Sequence, residues 1–306
     1  MTKRKVIIDT DPGHDDAMAI MLAVKSSILD ILALTTVCGN STIENTTRNA
    51  RYILNLLGRN DIPVYSGAEK PLKKDLVLAI VHGISGLDGI DPQNDSKLTG
   101  NASEKIIELV KNNPDEITII TLGPLTNIAT AIQRNPSIMK RVKEIISMGG
   151  AIKVAGNKNR VAEFNFFVDP EAAKIVFDFS VKKTLIPLDV CNEVRLSIDD
   201  FKKIKNDVIR KDLLKMVIPF SKNTRKNEGP TGVMMYDVLA VFSFLRSETT
   251  TTNDYDIKIE TKGDLTSGMS VADLRLKSEK NNNVTVVEKI SKKFFRQYFI
   301  NALNKR

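Results

Sequence analysis

Short runs of β-branched and other apolar residues alternate along the chain with segments in which apolar residues recur every three or four positions. The short runs predict buried strands, and the periodic segments predict helices. The predicted strands span residues 6–8, 31–37, 62–65, 117–122, 142–148, 184–190, 257–260 and 284–287. The predicted helices span residues 17–24, 41–57, 106–111, 198–206, 211–219 and 292–301, with further helices that end near 132 or begin near 169 and 236.

This alternation of strands and helices predicts an α/β fold. We expect a mostly parallel, Rossmann-like sheet flanked by helices, with the active site at the carboxyl ends of its strands. No internal repeat or low-complexity linker divides the chain. Residues 1–306 are therefore predicted to form a single domain.

Polar residues and prolines mark several element boundaries. The sequence Ser41-Thr42-Ile43-Glu44 predicts a capping box at a helix start. Asp169-Pro170-Glu171 predicts an ordinary helix start without a functional role. Pro187 falls inside the predicted strand at 184–190, where proline is unfavourable.

Two irregular segments are candidates for functional loops. Residues 70–100 form a long stretch without regular periodicity, and it carries His82, one of only two histidines. Loops of this length in compact domains are usually functional or disordered. Residues 221–232 are polar, basic and contain glycine, which predicts a mobile lid before the helix near 236.

Four carboxylates follow the first predicted strand within eight residues: Asp9, Asp11, Asp15 and Asp16. Open α/β sheets bind their ligands at such strand ends. A helix cap or the helix dipole would account for one or two of these acids. Four clustered carboxylates repel one another unless a cation or protons neutralise them, so the cluster predicts a metal site. Oxygen ligands of this kind favour calcium or magnesium.

Two more polar residues occupy comparable positions, but their positions alone are ambiguous. Asn40 follows the second predicted strand, where a turn or cap residue and a ligand fit the pattern equally well. Asp237 lies at the start of a predicted helix, where acids are common, so its position alone favours a helix-start role.

Composition narrows the range of partners. Lys and Arg number 45 and Asp and Glu number 37, which gives a formal net charge of +8. The basic residues are scattered and form no stripe with aromatic side chains, so we expect no nucleic-acid partner. Cys38 and Cys191 are too few for a disulfide framework, and no signal peptide or membrane span is evident. We therefore expect a cytoplasmic protein with no membrane partner.

The stretch Asp9-Thr10-Asp11-Pro12-Gly13-His14-Asp15-Asp16-Ala17 resembles the N-terminal signature of the nucleoside hydrolases, the inosine-uridine preferring ribonucleoside hydrolase family. Further segments resemble family blocks in the family's order, from the first strand to about Phe242. They are Val81-His82-Gly83, Gly86-Leu87-Asp88-Gly89, Gly123-Pro124-Leu125-Thr126-Asn127, Met148-Gly149-Gly150, Ala162-Glu163-Phe164-Asn165 and Asp169-Pro170-Glu171-Ala172-Ala173. An ordered set of this kind is far more specific than a single Asp-x-Asp.

The resemblance implies hydrolysis of the N-glycosidic bond of ribonucleosides to free base and ribose, with one bound calcium ion (Ca2+) and no organic cofactor. The residues that match metal ligands are Asp11, Asp16, Leu122 through its carbonyl, and Asp237. The residues that match ribose contacts are Asp15, Asn40, Met148, Asn157, Glu163 and Asn165. The implied partner is a small-molecule ribonucleoside, and the family suggests a homodimer or homotetramer.

The chemistry implied by the resemblance needs a base and an acid. A metal-bound water attacks the sugar on the face opposite the base, and Asp11 is the expected general base. Many relatives carry a histidine immediately before the late aspartate, whereas this chain carries Tyr236 there. The group that protonates the leaving base is therefore open between His82, Tyr236 and a water.

Two other functional classes share part of this pattern. A HAD-like aspartyl-phosphate phosphohydrolase also carries Asp-x-Asp after its first strand, and Lys182 or Lys183 would hold its phosphate. That interpretation leaves Asp15 and Asp16 without a role. A calcium-dependent nucleoside- or sugar-binding protein would use the same acids without turnover, and export features that would favour it are not evident.

Overall fold

The computed structural model of the protein describes residues 2–79, 81–92, 97–228, 232–275 and 282–305. Its strands are β1 (Arg4–Thr10), β2 (Leu29–Thr36), β3 (Val64–Ser66), β4 (Thr118–Thr121), β5 (Glu144–Met148), β6 (Lys183–Ile186), β7 (Arg195–Leu196), β8 (Val233–Met234), β9 (Thr250–Tyr255), β10 (Ile257–Ile259), β11 (Ser270–Ala272) and β12 (Val284–Ile290). Its helices are α1 (His14–Val24), α2 (Ile43–Leu56), α3 (Ala102–Asn112), α4 (Thr126–Arg134), α5 (Pro136–Met139), α6 (Phe164–Val168), α7 (Pro170–Asp178), α8 (Leu188–Cys191), α9 (Ile198–Phe201), α10 (Asp207–Glu228), α11 (Tyr236–Leu245) and α12 (Lys292–Leu303).

Eight of these strands form one sheet, in the spatial order β3-β2-β1-β4-β5-β6-β12-β9. All neighbouring strands are parallel except β12 and β9, which are antiparallel. The predicted fold class, a mostly parallel sheet flanked by helices, is therefore confirmed. The remaining strands form two small pairs, β10 with β11 and β7 with β8.

The middle of strand β1, Val6 to Ile8, is continuously apolar because helices cover both faces of the sheet there. Val6 and Ile8 belong to one apolar cluster, which also contains Met18 of α1. Ile7 belongs to the cluster on the opposite face, which also contains Ile128 of α4. All five side chains are fully buried. Continuous apolar runs of this kind are typical of parallel strands buried on both faces.

The first helix starts earlier than the periodicity predicts. It begins at His14 rather than at residue 17, so Asp15 and Asp16 lie in its first turn. Negative charge is favourable at that end of a helix. The helix start therefore holds two of the clustered acids directly behind β1.

The predicted capping box at residues 41–44 is wrong. Thr42 is the N-cap of α2, and it makes no side-chain cap hydrogen bond. Ser41 instead donates its hydroxyl hydrogen bond to the carbonyl of Ile84 at 2.8 Å. The residue thus fastens the loop that carries His82, and it is not available to cap the helix.

The predicted strand at 184–190 is too long, whereas the predicted helix start at 169–171 is confirmed. β6 ends at Ile186, and Pro187 is the N-cap of α8. Proline has no N–H to give to a neighbouring strand, so the ladder stops there. Asp169 caps α7 by accepting a hydrogen bond from the backbone N–H of Ala172 at 3.0 Å.

The segment predicted to be a lid at 221–232 is helical as far as residue 228, and residues 229–231 lie outside the described part. It continues α10, which begins at residue 207 and contains Pro219. Leu213, Val217 and Phe220 are buried at helical spacing, so one apolar face continues past the proline. The predicted helix at 198–206 is in contrast only the four residues of α9.

Within the described ranges, no helix is both long and apolar enough to cross a membrane. Cys38 and Cys191 are buried and free. The prediction that the two cysteines form no disulfide framework is therefore in accord with the structure.

The buried sheet should carry more of the stability than the exposed loops. Leu34 of β2 is fully buried and Leu265 is 67% exposed, which makes the two leucines a matched pair. We expect Leu34→Ala to lower the free energy of unfolding by about 2 to 5 kcal/mol, and Leu265→Ala by less than about 0.5 kcal/mol. Urea unfolding followed by circular dichroism measures both values. Equal losses would contradict the burial of β2.

Candidate active site

The carboxyl ends of β1, β2, β4 and β5 border one cavity of about 250 Å³. These ends share one edge of the sheet, so residues far apart in sequence meet there. The predicted site residues that line the cavity are Asp15, Asn40, His82, Leu122, Met148, Asn157, Glu163, Asn165, Tyr236 and Asp237. Asp11 and Asp16 are fully buried beside it. The structure therefore brings together all the predicted site residues.

Asp11 follows β1 directly and is held from one side. Its Oδ2 accepts a hydrogen bond from the backbone N–H of Asn40 at 2.7 Å. Its Oδ1 has no hydrogen-bond partner among the residues that the structure describes. Burial raises the pKa of Asp11 well above its ordinary value, and the neighbouring charge of Asp16 raises it further. The free oxygen is therefore suited to a cation or a proton.

Asp16 is bound by the chain around it. Its Oδ1 accepts a hydrogen bond from the hydroxyl of Thr10 at 2.5 Å, and its Oδ2 accepts one from the backbone N–H of Gly13 at 3.0 Å. The side-chain amide of Asn40 donates to the same Oδ2 at 2.9 Å. Asn40 thus contacts Asp11 through its backbone and Asp16 through its side chain, which fixes the two acids relative to each other.

Three further oxygens converge at the base of the cavity. One carboxylate oxygen from each of Asp15, Asp16 and Asp237 lies within 4.8 Å of the others, and all three residues are buried. Burial raises the pKa of Asp237 well above its ordinary value, and the charges of Asp16 and Asp15 add to this effect. These three oxygen donors fit a hard divalent cation such as calcium or magnesium. Of the predicted metal ligands, Asp16 and Asp237 belong to this group of three, whereas Asp11 does not.

A set of polar groups beside the acids comes from the start of α6. Asn165 donates its side-chain amide to the carbonyl of Leu122 at 2.7 Å, and this amide lies 3.7 Å from the sulfur of Met148. A carbonyl has two lone pairs, so Leu122 can also face a cation. Glu163 accepts hydrogen bonds from the backbone N–H groups of Asn165 at 2.8 Å and Gly150 at 3.0 Å. Burial raises the pKa of Glu163 to about 7.

An aromatic wall closes another side of the cavity. The rings of His82 and Phe220 stack with centroids 5.1 Å apart, and His14 stacks on Phe220 at 4.8 Å. Nε2 of His82 lies 3.8 Å from Oδ1 of Asp15, and its Nδ1 lies 3.1 Å from Nδ1 of His14. Burial lowers the pKa of His82 well below its ordinary value, and His14 lowers it further. His82 is therefore neutral at pH 7.

Tyr236 lies on the cavity wall at the first residue of α11, next to Asp237. Its hydroxyl donates a hydrogen bond to Oδ1 of Asn192 at 3.3 Å. Asn157 accepts a hydrogen bond from the backbone N–H of Phe164 at 2.9 Å, which ties together the two ends of the loop at the mouth.

Five residues that line the cavity are not among the predicted site residues: Ala79, Val81, Lys158, Phe164 and Phe220. Phe220 continues the helical spacing of Leu213 and Val217, and that signal could have found it beyond Pro219. Lys158 and Phe164 also line the cavity. A single lysine in a polar loop gives no pattern, so no signal in the sequence distinguished Lys158.

Comparisons with known proteins identify the class of hydrolase to which this fold and site belong. A family model described as "inosine-uridine preferring nucleoside hydrolase" matches residues 6–297. The chain is 38% identical to the "pyrimidine-specific ribonucleoside hydrolase RihA" of Citrobacter koseri, over 98% of this chain and 97% of the relative. It is 37% identical to the RihA of Escherichia coli O7:K1, over 98% of this chain and 97% of that relative.

Similarity to solved structures supports the same family assignment. A plant nucleoside hydrolase superimposes with a TM-score of 0.92 at 31% identity over 99% of both chains. A purine-preferring ribonucleoside hydrolase from Gardnerella vaginalis superimposes with a TM-score of 0.91 at 28% identity over 98% of both chains. The chain therefore belongs to the inosine-uridine preferring nucleoside hydrolase family, and it is an N-glycosyl hydrolase.

Two glycines pack against Asp11. A Cβ on Gly39 would lie 2.2 Å from Oδ2 of Asp11, and a Cβ on Gly123 would lie 2.5 Å from Oδ1. Both distances are shorter than any real contact, so either added methyl group would displace the carboxylate. Gly58, in contrast, has a φ of +66° and no neighbour within 4 Å of an added Cβ.

We expect Gly39→Ala to lower kcat/KM for ribonucleoside hydrolysis by about 100-fold, because a displacement of about 1 Å at a reacting group costs this much. Gly58→Ala strains the backbone without touching the cavity and is the matched control. Steady-state kinetics of both variants, with circular dichroism to check the fold, measure the effect. Equal activity of the two variants would contradict the tight packing of Asp11.

Proposed function

We propose that this enzyme hydrolyses the N-glycosidic bond of pyrimidine ribonucleosides, with a calcium ion held by the acids at the end of β1. The observation that carries the proposal is the convergence of buried carboxylates, with a free Oδ1 on Asp11, beside a cavity of nucleoside-compatible size. The pyrimidine preference is supported by the names of the relatives at 37% and 38% identity, since the purine-preferring structure is only 28% identical.

Asp11, Asp16 and Asp237 would hold the metal through their carboxylates, and Leu122 through its carbonyl. When bound, calcium supplies a positive charge that stabilises these carboxylates, polarises the attacking water and orients ribose hydroxyls. Their chemistry supports this assignment, because carboxylate and carbonyl oxygens are the ligands that calcium prefers. Raised pKa values for Asp11 and Asp237, caused first by burial, also indicate that these acids need a countercharge.

Asp11 is the proposed general base. Its Oδ2 is fixed by the N–H of Asn40 while its Oδ1 is free to accept a proton from a water. As the C1′–N bond breaks, the sugar gains positive charge near its ring oxygen. The surrounding carboxylates are placed to stabilise that charge without moving, which is how preorganised groups accelerate reactions.

The ribose contacts follow from the polar groups around the acids. The proposed ribose-binding residues are Asp15, Asn40, Met148, Asn157, Glu163 and Asn165. Several of these are held by hydrogen bonds of their own, such as Glu163 by three backbone N–H groups. Their positions are therefore defined before substrate enters, which lowers the entropic cost of binding.

The two lysines named for a competing phosphohydrolase function lie away from the acids. A phosphohydrolase would require Lys182 or Lys183 near the acids. Lys183 is the first residue of β6, at the end of the strand opposite the cavity, and its ammonium donates to the carbonyls of Phe179 and Val181. Lys182 pairs with Glu144 at 3.3 Å.

Oligomeric state and location are also part of the proposal. Resemblance to the family supports a homodimer or homotetramer. Two buried free thiols, Cys38 and Cys191, are compatible with a reducing compartment such as the cytoplasm.

We expect Asp11→Ala to lower kcat for uridine by about 10²-fold or more, because it removes both the base and a metal ligand. Calcium affinity, measured by isothermal titration calorimetry, should fall as well. Asp264→Ala removes an exposed acid and is the control. Release of free ribose from uridine, cytidine and inosine gives the activity. Near-normal ribose release by Asp11→Ala would contradict the proposed site.

For the leaving base we expect His82 to matter more than Tyr236. The neutral imidazole of His82 can hydrogen-bond a pyrimidine carbonyl, whereas the hydroxyl of Tyr236 is engaged with Asn192. His82→Ala should lower kcat for uridine by about tenfold or more, and Tyr236→Phe by less than about threefold. The same kcat measurements on inosine show whether either side chain acts on a purine leaving base as well as on a pyrimidine leaving base. Wild-type kcat values for both variants on both substrates would mean that neither side chain is the acid.

A further inference from the structure

His14 is the second histidine of the aromatic wall, and the proposed function leaves it without a role. It is the first residue of α1 and is fully buried. Its ring stacks on that of Phe220 with an interplanar angle of 7°. His82 lines the cavity, whereas His14 does not. Any effect of His14 on a substrate must therefore pass through a neighbouring residue.

Three hydrogen bonds join His14 and His82 in a closed circuit. The backbone N–H of His14 donates to Nδ1 of His82 at 3.2 Å. The backbone N–H of Asp88 donates to the carbonyl of His82 at 3.2 Å. Nε2 of His14 lies 2.9 Å from the carbonyl of Asp88, and this nitrogen is the donor because a carbonyl only accepts. His14 therefore holds the ring of His82 directly and the backbone of His82 through Asp88.

Two glycines allow the segments of this circuit to approach each other closely. A Cβ on Gly13 would lie 2.7 Å from Nδ1 of His82, which is too close for a real contact. Gly83 has a φ of +76°, and a Cβ there would overlap the carboxylate of Asp88. Because both approaches need glycine, the contact between the start of α1 and the loop of His82 is built into the backbone of both segments.

The backbone N–H of His14 decides which nitrogen of His82 carries the ring proton. A backbone N–H can only donate, so Nδ1 of His82 accepts and the proton lies on Nε2. In the opposite tautomer Nδ1 would donate to Nδ1 of His14, 3.1 Å away, and the buried backbone N–H would face another N–H. Nε2 of His82 lies 3.8 Å from Oδ1 of Asp15, which also lines the cavity. The favoured tautomer therefore presents an N–H to the substrate.

We propose that His14 is a positioning residue that holds His82 in the tautomer and orientation needed to donate its Nε2–H to a carbonyl oxygen of the leaving pyrimidine. This inference rests on the proposed function of the same site. As the C1′–N bond breaks, its electron pair passes to the base, and the charge spreads to the carbonyl oxygens. Water forms the new C1′–O bond, and a proton from that water ends on the base. A hydrogen bond that strengthens as the charge develops lowers the barrier.

The test varies how much help the leaving group needs. A para-nitrophenyl riboside releases a stable phenolate, which departs without the hydrogen bond that a pyrimidine needs. The measured quantity is kcat for uridine divided by kcat for this riboside, in wild type, His14→Phe, His82→Ala and the double variant. His14→Phe keeps a ring against Phe220 and removes both nitrogens. Ile84→Ala is the control, because this side chain belongs to the same loop and is 94% exposed.

We expect His14→Phe to lower this ratio by about tenfold, close to the effect of His82→Ala, because one such hydrogen bond is typically worth about that factor. The double variant should lower the ratio by less than about threefold beyond His82→Ala, since both residues act through one contact. Ile84→Ala should leave the ratio unchanged. Heteronuclear NMR of the imidazole nitrogens of wild type, which needs no variant, should place the ring proton of His82 on Nε2.

Equal losses of kcat on both substrates in His14→Phe would mean that His14 only supports the fold, and would overturn the proposal. A wild-type ratio in His14→Phe, a double variant in which the two losses multiply, or a ring proton on Nδ1 of His82 would overturn it as well. A wild-type ratio in His82→Ala, with wild type cleaving uridine, overturns this inference and leaves the proposed function standing. Failure of wild type to cleave uridine instead overturns the proposed function, and this inference with it.

Discussion

The carboxylates buried behind β1 are the constraint on which the rest of this structure depends. Asp9, Asp11 and Asp16 are fully buried, and burial raises the pKa of Asp9 to about 7. Oδ1 of Asp9 accepts hydrogen bonds from the hydroxyl of Thr35 at 2.5 Å and the side-chain amide of Asn127 at 2.8 Å. Buried charges are tolerated only with such donors or a counterion. Because the donors come from β2 and α4, the native strand order is needed to hold the acids together.

The local parts of this arrangement could be predicted from the sequence. Apolar runs indicate buried strands wherever they occur, and the polar residue after each run falls at the same edge of a parallel sheet. This pattern alone is enough to place Asn40 and Leu122 at strand ends. Their roles as ribose and metal contacts need the family resemblance, because position alone leaves Asn40 ambiguous and Asp237 an ordinary helix start. The structure adds the contacts that join Asn40 to two of the acids.

The parts that could not be predicted depend on contacts between distant segments. The stacking of Phe220 on His82 joins α10 to the loop at residues 81–90, and neither segment alone indicates that they meet. Ser41 has the strong preference of serine for helix caps, but a carbonyl 43 residues away binds it instead. The polar character of residues 221–228 is typical of a loop, yet they continue helix α10, whose preceding turns bury Leu213 and Val217.

The strand order has a consequence for how the protein is made. β6 pairs with β5 on one side and with β12 on the other, and β12 begins only at Val284. A ribosome adds roughly 5 to 20 residues per second, so the open edge of β6 waits for several seconds of synthesis before its partner exists. The acid cluster waits too, because Asp237 of α11 follows the other acids by more than half the chain. During that interval the nascent chain exposes an unpaired strand edge and an incomplete cation site. We therefore expect cellular chaperones to bind the chain mainly at this stage of synthesis.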